Sequence, residues 1–501
     1  MNPGTIHFVG TGPGDPGLAT VRARDLIAAA EVLVFDDVVP VGVLAWARPA
    51  CEKICLKPGE SAPTSDEVAA LLAARAKAGR RVVRLKGGDP FVFGHAAAEV
   101  RQVAAAGVPF AVVPGVTAAL AAGAYAGVPL VQCGTGNTLI LLPGNAKPPV
   151  DWHRYGALPN TTLAIYMGRE NLPTILAELV AGGLAPDTPA AAVQWVSLGC
   201  QRSVPGTAAT LADRVTAANL GSPTLILVGE AVGQREAFDW FEHLPLFGRR
   251  VAVTRARDQS GELRRRLEEL GAEVIELPLL EIRPHRDRET TVDVMTELGK
   301  YDWIVFTSAN GVRHFFDLLF KGFRDIRALG VMRVACIGEA TAAAVRALHL
   351  EVEICPETAT AEALAEAMIA TGSLDNAMVL VITGNLNRDT LVKKLEGARA
   401  IVDRLQVYEN VRTDLAGDPA AKEFRRRGAD AILFASASAV RAYAAQKAVA
   451  PAPGARRPLA GSIGPMTTDA MRAEELTVDF EASEATLDAL VAALVAKLAS
   501  G

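Results

Sequence analysis

The stretch Arg84-Leu85-Lys86-Gly87-Gly88-Asp89-Pro90-Phe91-Val92-Phe93-Gly94 follows the apolar pair Val82-Val83 and a helix-like segment, so it marks a strand end opening into a loop. Its adjacent glycines reach backbone angles closed to other residues and let a ligand approach the main chain. Asp89 and Pro90 set the turn and place a carboxylate beside it. Similar turns follow other apolar runs. Ile6-His7-Phe8-Val9-Gly10-Thr11-Gly12-Pro13-Gly14-Asp15-Pro16-Gly17 opens the chain, Val34-Phe35-Asp36 ends a second run, and Val113-Pro114-Gly115-Val116-Thr117-Ala118-Ala119 forms a third glycine turn. Short β-branched runs alternate with alanine- and leucine-rich helical segments throughout, which predicts an α/β architecture.

The opening loop also fits G-x-G-x-x-G, with Asp36 about 20 residues further on. That pattern belongs to nicotinamide dinucleotide folds. Asp15 would there face a pyrophosphate with like charge, Pro16 removes a useful N–H, and Gly87-Gly88 has no role. The dinucleotide reading is set aside on those grounds.

Together with Ile165-Tyr166-Met167-Gly168 and Leu225-Ile226-Leu227-Val228-Gly229-Glu230, these turns resemble the uroporphyrinogen-III C-methyltransferases of the tetrapyrrole methylase family, over residues 5–232. The resemblance implies a two-subdomain α/β fold and S-adenosylmethionine as cofactor, with Pro13, Gly87, Gly88, Asp89, Val92, Thr117, Ala118 and Met167 around it. Met167 would equally serve as a gap-filling core residue. The implied reaction moves methyl groups to two pyrrole carbons of uroporphyrinogen III, giving precorrin-2, and positioning should supply much of its rate. Asp36 is the implied proton acceptor and Lys57 its acid partner, a solvated surface lysine being the other reading of Lys57. Homodimerisation through this domain is carried over by analogy.

The chain departs from the family on the substrate side. Phe93-Gly94-His95-Ala96-Ala97-Ala98-Glu99 stands where Phe-Gly-Arg-Gly-Gly-Glu-Glu is usual, and Pro129-Leu130-Val131-Gln132-Cys133 where Pro-Leu-Thr-His-Arg is usual. Pro58-Gly59-Glu60-Ser61-Ala62-Pro63 replaces a polar stretch. Two arginine forks for carboxylates are thereby lost, and histidine or cysteine does not replace a bidentate fork. His95 is either a weak donor in the arginine's place or a loop histidine.

At 501 residues the chain exceeds a single core. A net charge of −5 without a basic block gives no footprint for nucleic acid. No apolar run approaches the roughly 20 residues of a membrane span, and no signal peptide is visible, so a cytoplasmic location is expected. The six cysteines and seven histidines show no metal-ligand spacing, which predicts no metal.

The α/β pattern breaks at 233–247 and resumes at Arg250-Val251-Ala252-Val253-Thr254-Arg255. This divides the chain into 1–232, a linker 233–247, and 248–501. The second part repeats itself at about 128 residues: Asp302-Trp303-Ile304-Val305-Phe306-Thr307-Ser308-Ala309 echoes Asp430-Ala431-Ile432-Leu433-Phe434-Ala435-Ser436-Ala437, and Cys336-Ile337-Gly338 echoes Ser462-Ile463-Gly464. Two parallel-sheet lobes across a cleft satisfy this repeat, one at about 248–283 and 410–501, the other at about 284–409. Each repeated strand runs through Thr or Ser into a helix, which suits either ordinary N-capping or carboxylate binding, and four such termini facing one cleft favour binding.

Residues 248–499 resemble uroporphyrinogen-III synthase, through Val253-Thr254-Arg255, Phe306-Thr307-Ser308-Ala309-Asn310-Gly311, Val407-Tyr408 and Ile463-Gly464-Pro465-Met466-Thr467. The resemblance implies cofactor-free cyclisation of hydroxymethylbilane to uroporphyrinogen III with inversion of the last ring. Tyr408 is the candidate proton donor, a packed strand-end tyrosine being its other reading; Thr307, Ser308, Thr341, Ser436, Ser438 and Thr467 are the candidate carboxylate donors. A bifunctional tetrapyrrole enzyme is the expectation. The rivals are a chain with only the synthase active, its first half a cofactor-binding regulatory module, and a methylase of another tetrapyrrole.

Overall fold

The computed structural model describes residues 4–57, 59, 62–94, 96–132, 136–285, 287–385, 389–446 and 449–499. His95 and Cys133 lie outside them. The described residues form four five-stranded sheets. In the first, all strands are parallel, in the order Glu52–Leu56, Val32–Asp36, Val82–Lys86, Ile6–Gly10, Phe110–Val113. The central strand Val82–Lys86 is buried along its whole length, as a strand covered on both faces requires. It separates the first two strands of the chain, whereas a dinucleotide fold sets those two side by side.

The second sheet is mixed, in the order Thr138–Pro143, Thr161–Tyr166, Thr224–Val228, Pro189–Gln194, Arg202–Thr207. The segment 233–247 is an ordered strap. Phe241 is buried and its ring meets those of Tyr125, Trp240 and Phe247 at 4.7–5.5 Å. The Trp240 indole donates to the Ala124 carbonyl at 2.9 Å.

The two remaining sheets repeat each other. One runs Glu273–Glu276, Arg250–Val253, Ala431–Phe434, Leu459–Ser462, Phe480–Glu481, all parallel. The other runs Ile401–Arg412, Met378–Gly384, Trp303–Phe306, Arg333–Cys336, with an Ala335–Ile354 bridge in the place of the fifth strand. Its outer edge carries Leu280–Pro284, antiparallel to Ile401–Arg412, so this lobe is not wholly parallel. That ribbon spans the expected lobe boundaries near 284 and 409, Leu280–Pro284 pairing with Tyr408–Arg412. Composition does not change where two strands of one ribbon cross between lobes, so sequence carried no mark of it.

The two halves touch. Arg264 donates from Nη2 to the Gly42 carbonyl at 3.3 Å, and Gly248 N–H donates to the Gly199 carbonyl at 3.1 Å. Beside this seam burial pushes the Glu268 carboxyl up to about 7; Arg264 opposes the shift, and Asp15 and Glu276 add to it. A carboxyl raised in the folded state stabilises fully below its ordinary value of 4.5, and that contribution is lost as pH rises to about 7. Glu268→Gln is therefore expected to raise the melting midpoint at pH 8 by roughly 2 °C and to leave it unchanged at pH 4.5. Scanning calorimetry at both pH values checks this; equal shifts at the two would contradict the assignment.

Candidate active sites in the two halves

The first site forms at the carboxyl ends of the parallel strands. Gly12 and Gly88 exchange backbone hydrogen bonds, Gly88 N–H to Gly12 at 2.7 Å and Gly12 N–H to Gly88 at 3.3 Å, and both have positive φ. A Cβ on Gly115 would lie 2.3 Å from the Gly88 carbonyl oxygen, and one on Gly10 would lie 2.6 Å from it. Three glycine turns are thus stacked in van der Waals contact. Asp89 fastens them: Oδ1 accepts from Phe91 N–H at 2.8 Å and Oδ2 from Gly115 N–H at 3.0 Å.

Pro13, Gly87, Gly88, Asp89, Val92, Thr117 and Ala118 all lie on the loops or helix start that follow strands Ile6–Gly10, Val82–Lys86 and Phe110–Val113. The crevice beyond strand carboxyl ends is where open α/β sheets bind ligands. Met167 follows a strand of the second sheet, with φ 53° and its side chain half-exposed. Tyr166 joins the two sheets, for its hydroxyl lies 2.6 Å from Thr117 Oγ1 and accepts from Ala119 N–H at 2.9 Å. Thr117 itself is buried, its hydroxyl against that of Tyr166.

Asp15 has a structural task. Its Oδ1 accepts from Gly17 N–H at 2.7 Å and its Oδ2 from the Tyr125 hydroxyl at 2.9 Å.

Asp36 ends the strand beside the glycine stack. Arg84 Nη2 reaches its Oδ1 at 2.6 Å and Lys86 Nζ its Oδ2 at 2.9 Å. Burial works to raise the Asp36 carboxyl, but Arg84 and Lys86 outweigh it and hold it below its ordinary value. Lys57 is exposed just past the edge strand, one residue beyond Leu56, the register partner of Asp36. The ammonium in contact with Asp36 is that of Lys86. Arg84, Lys86, Glu99 and Tyr166 went unassigned as site residues in the sequence, though alternate charged residues in a buried strand require carboxylate partners.

The second site is a cleft of about 900 Å³ between the lobes, lined from one side by Ala437, Arg441 and Met466 and from the other by His285, Thr360 and Arg404 among others. Of the six predicted carboxylate donors only Thr307 lines it. Ser308 and Ser436 cap helices, accepting from Gly311 N–H at 3.0 Å and Ala439 N–H at 3.2 Å, and Ser438 lies 3.0 Å from Ser436. Thr341 and Thr467 are buried in the first turns of their helices and do not line the cleft. Tyr408 is buried behind the wall: its hydroxyl lies 3.0 Å from Ser308 Oγ, its ring stacks on His314 at 5.9 Å, and Gly384, which lines the cleft, covers it. Burial raises the Tyr408 phenol above its ordinary value, with Ser308 opposing. No group of residues suited to a metal ion occurs among the described residues, and none of their helices is long and apolar enough to cross a membrane.

A stacked-glycine α/β site carrying a clamped carboxylate, joined to a two-lobed cleft, defines a two-part enzyme of small anionic substrates. Residues 5–212 match the family model for tetrapyrrole (corrin/porphyrin) methylases, and residues 261–492 that for uroporphyrinogen-III synthase HemD. The chain is 32% identical over 451 residues to the porphyrin biosynthesis protein HemD of Ruminiclostridium josui, covering 89% of each. It is 33% identical over 336 residues to the uroporphyrinogen-III C-methyltransferase of Bacillus subtilis, covering 66% of this chain and 68% of that protein. Among solved structures, the uroporphyrin-III C-methyl transferase of Thermus thermophilus complexed with S-adenyl homocysteine is 35% identical, covers 46% of this chain and 93% of its own, and superposes with a TM-score of 0.40. The chain belongs to the family of two-domain porphyrin-biosynthesis proteins that join a tetrapyrrole methylase to a uroporphyrinogen-III synthase.

Proposed function

We propose that residues 248–501 cyclise hydroxymethylbilane to uroporphyrinogen III and that residues 1–232 methylate this product to precorrin-2 with S-adenosylmethionine, the strap 233–247 joining the two. The observation that carries the reading is the glycine stack set against the clamped Asp36 carboxylate. The stack fits the cofactor: a Cβ on Gly88 would project to within 3.8 Å of the Thr117 Cα and 3.9 Å of Ala118 N, so its absence leaves a cradle of accessible main chain. Gly87, Gly88, Val92, Ala118 and Met167 would hold the cofactor there, with Asp89 fixing the loops. When bound, it supplies an electrophilic methyl group on a sulfonium. Asp36 holds a negative charge where the acceptor pyrrole becomes cationic, which lowers the barrier electrostatically. The glycine loops fix the approach, so positioning contributes alongside charge.

In the cleft, Arg441 is the guanidinium group suited to carboxylates of a bilane, and Arg404 on the other lobe, paired with Asp389 at 2.6 Å, would have to exchange that partner for a substrate carboxylate. Backbone N–H groups at the helix starting at Ala361 add neutral donors, Thr360 being its cap. The cleft's work is conformational: holding the bilane bent so that the last ring is attacked at the inverting carbon.

An anaerobic assay with hydroxymethylbilane, with and without S-adenosylmethionine and read by mass, tests the reading. A type III product heavier by two methyl groups is expected. Unmethylated type III product from protein that still binds the cofactor would confine catalysis to the cleft and agree with the arginines lost around residues 93–99 and 129–133.

A further inference from the structure

Beneath the first site lies a closed group of four charges. Arg84 and Glu99 are each only 2% exposed, Lys86 is 7% exposed in its side chain and Asp36 27%. Arg84 is fully engaged. Its Nε and Nη2 pair with the two Glu99 oxygens at 2.9 and 3.0 Å, its Nη1 donates to the Leu85 carbonyl at 3.0 Å, and Nη2 also reaches Asp36. Lys86 Nζ spans the same two carboxylates, 2.9 Å from Asp36 and 3.5 Å from Glu99. Each Asp36 oxygen therefore meets a different cation, which fixes the plane of the carboxylate and leaves part of it exposed.

Desolvating four charges is costly, and hydrophobic packing would serve stability at least as well. A role in the site accounts for their retention. Lys86 is also the residue whose carbonyl accepts both the Thr11 N–H, at 2.9 Å, and the Thr11 hydroxyl, at 3.1 Å. One residue thus ties the cofactor loops and the acceptor-side carboxylate to the same strand end.

We propose that Lys86 is a positioning residue of the methyl transfer, which together with Arg84 holds Asp36 as a fixed anion opposite the acceptor ring. The inference rests on the methylase reading above and deepens it. Asp36 then acts as a permanent counter-charge to the ring that gains positive charge as the methyl group moves. Lys57 has no part in holding it. Arg84 belongs chiefly to Glu99, so the charge that Asp36 can lose without dismantling the strand is that of Lys86.

The experiment compares wild type, Lys86→Met, Lys86→Gln and Lys86→Arg in the full chain. Three readouts are taken: the pH profile of kcat for methyl transfer, the S-adenosylmethionine Kd by calorimetry, and the titration of the Asp36 carboxyl by ¹³C NMR, assigned with Asp36→Asn. In Lys86→Met and Lys86→Gln burial is opposed by Arg84 alone, so the acid limb and the Asp36 titration should both move up by about one unit. On the acid limb activity should fall by up to about tenfold relative to wild type and converge with it toward pH 7, Kd should stay within about twofold, and Lys86→Arg should resemble wild type. Activity lost equally at every pH, with an unmoved Asp36 titration, would overturn the proposal and reduce Lys86 to a structural residue. A wild type that transfers no methyl group would overturn the reading beneath it, and the NMR titration would then still decide whether Lys86 sets the charge of Asp36.

Discussion

Gly115→Ala is expected to weaken S-adenosylmethionine binding at least a hundredfold and to abolish methyl transfer, while the synthase reaction continues unchanged. The added Cβ would sit 2.3 Å from the Gly88 carbonyl oxygen and 2.9 Å from the Gly10 Cα, distances no side chain tolerates. Neither neighbour is a flexible side chain. Gly10 ends a strand paired on both sides, and Gly88 is locked to Gly12 by two backbone hydrogen bonds. Relief must come from the turn at Gly115, which would pull its N–H away from Asp89 and open the loop that Asp89 fastens. A misplacement near 1 Å at such a site costs on the order of 100-fold in rate. Calorimetric titration with S-adenosylmethionine beside a synthase assay on the same sample checks this. Wild-type affinity in Gly115→Ala would mean that the stack is not the binding cradle.

The second large effect falls on the other half. Gly384→Ala would bring a Cβ within 2.5 Å of Tyr408 Cζ and 2.9 Å of its hydroxyl. Tyr408 is 6% exposed, stacked on His314 and hydrogen-bonded to Ser308, so its ring has nowhere to go, and the cleft wall at Gly384 must move outward. Overpacking of this kind costs roughly 1–3 kcal/mol in a core, and here the displaced element lines a substrate cleft. Synthase turnover should fall about a hundredfold, with methyl transfer from supplied uroporphyrinogen III intact. Measuring Tyr408→Phe alongside separates the two roles of the tyrosine. A comparable loss in Tyr408→Phe would make its hydroxyl catalytic, whereas near-wild-type turnover would leave the ring as a wall and the glycine as the sensitive position.

The methylase crevice was legible because its parts are local. Gly87-Gly88-Asp89 and the loops beginning at Gly10 and Val113 each announce a strand end, and parallel strands deliver their carboxyl ends to one edge. The synthase cleft was legible as an architecture and not as a set of contacts. A repeated Thr or Ser at a helix start has two uses: Ser308 and Ser436 accept from their helix N–H groups, and Thr341 and Thr467 are buried. Arg404 and Arg441, which do face the cleft, carry no local signature, since an arginine in a strand or helix reads alike whether it meets solvent or a ligand.

What the sequence alone determined is the division into two α/β halves, the internal repeat of the second half, and the glycine loops of the first, because strand, turn and helix signals act over a few residues. Only the tertiary structure decided the partners of Asp36, the pairing of the ribbon between the lobes and the residues that line the cleft. Lys86 and Asp36 are 50 residues apart and meet because two strands pair in register, and Leu280–Pro284 joins the second lobe because it pairs with a strand more than a hundred residues away. Long-range pairing brings together groups that no local pattern links, and there the electrostatics of the site are set.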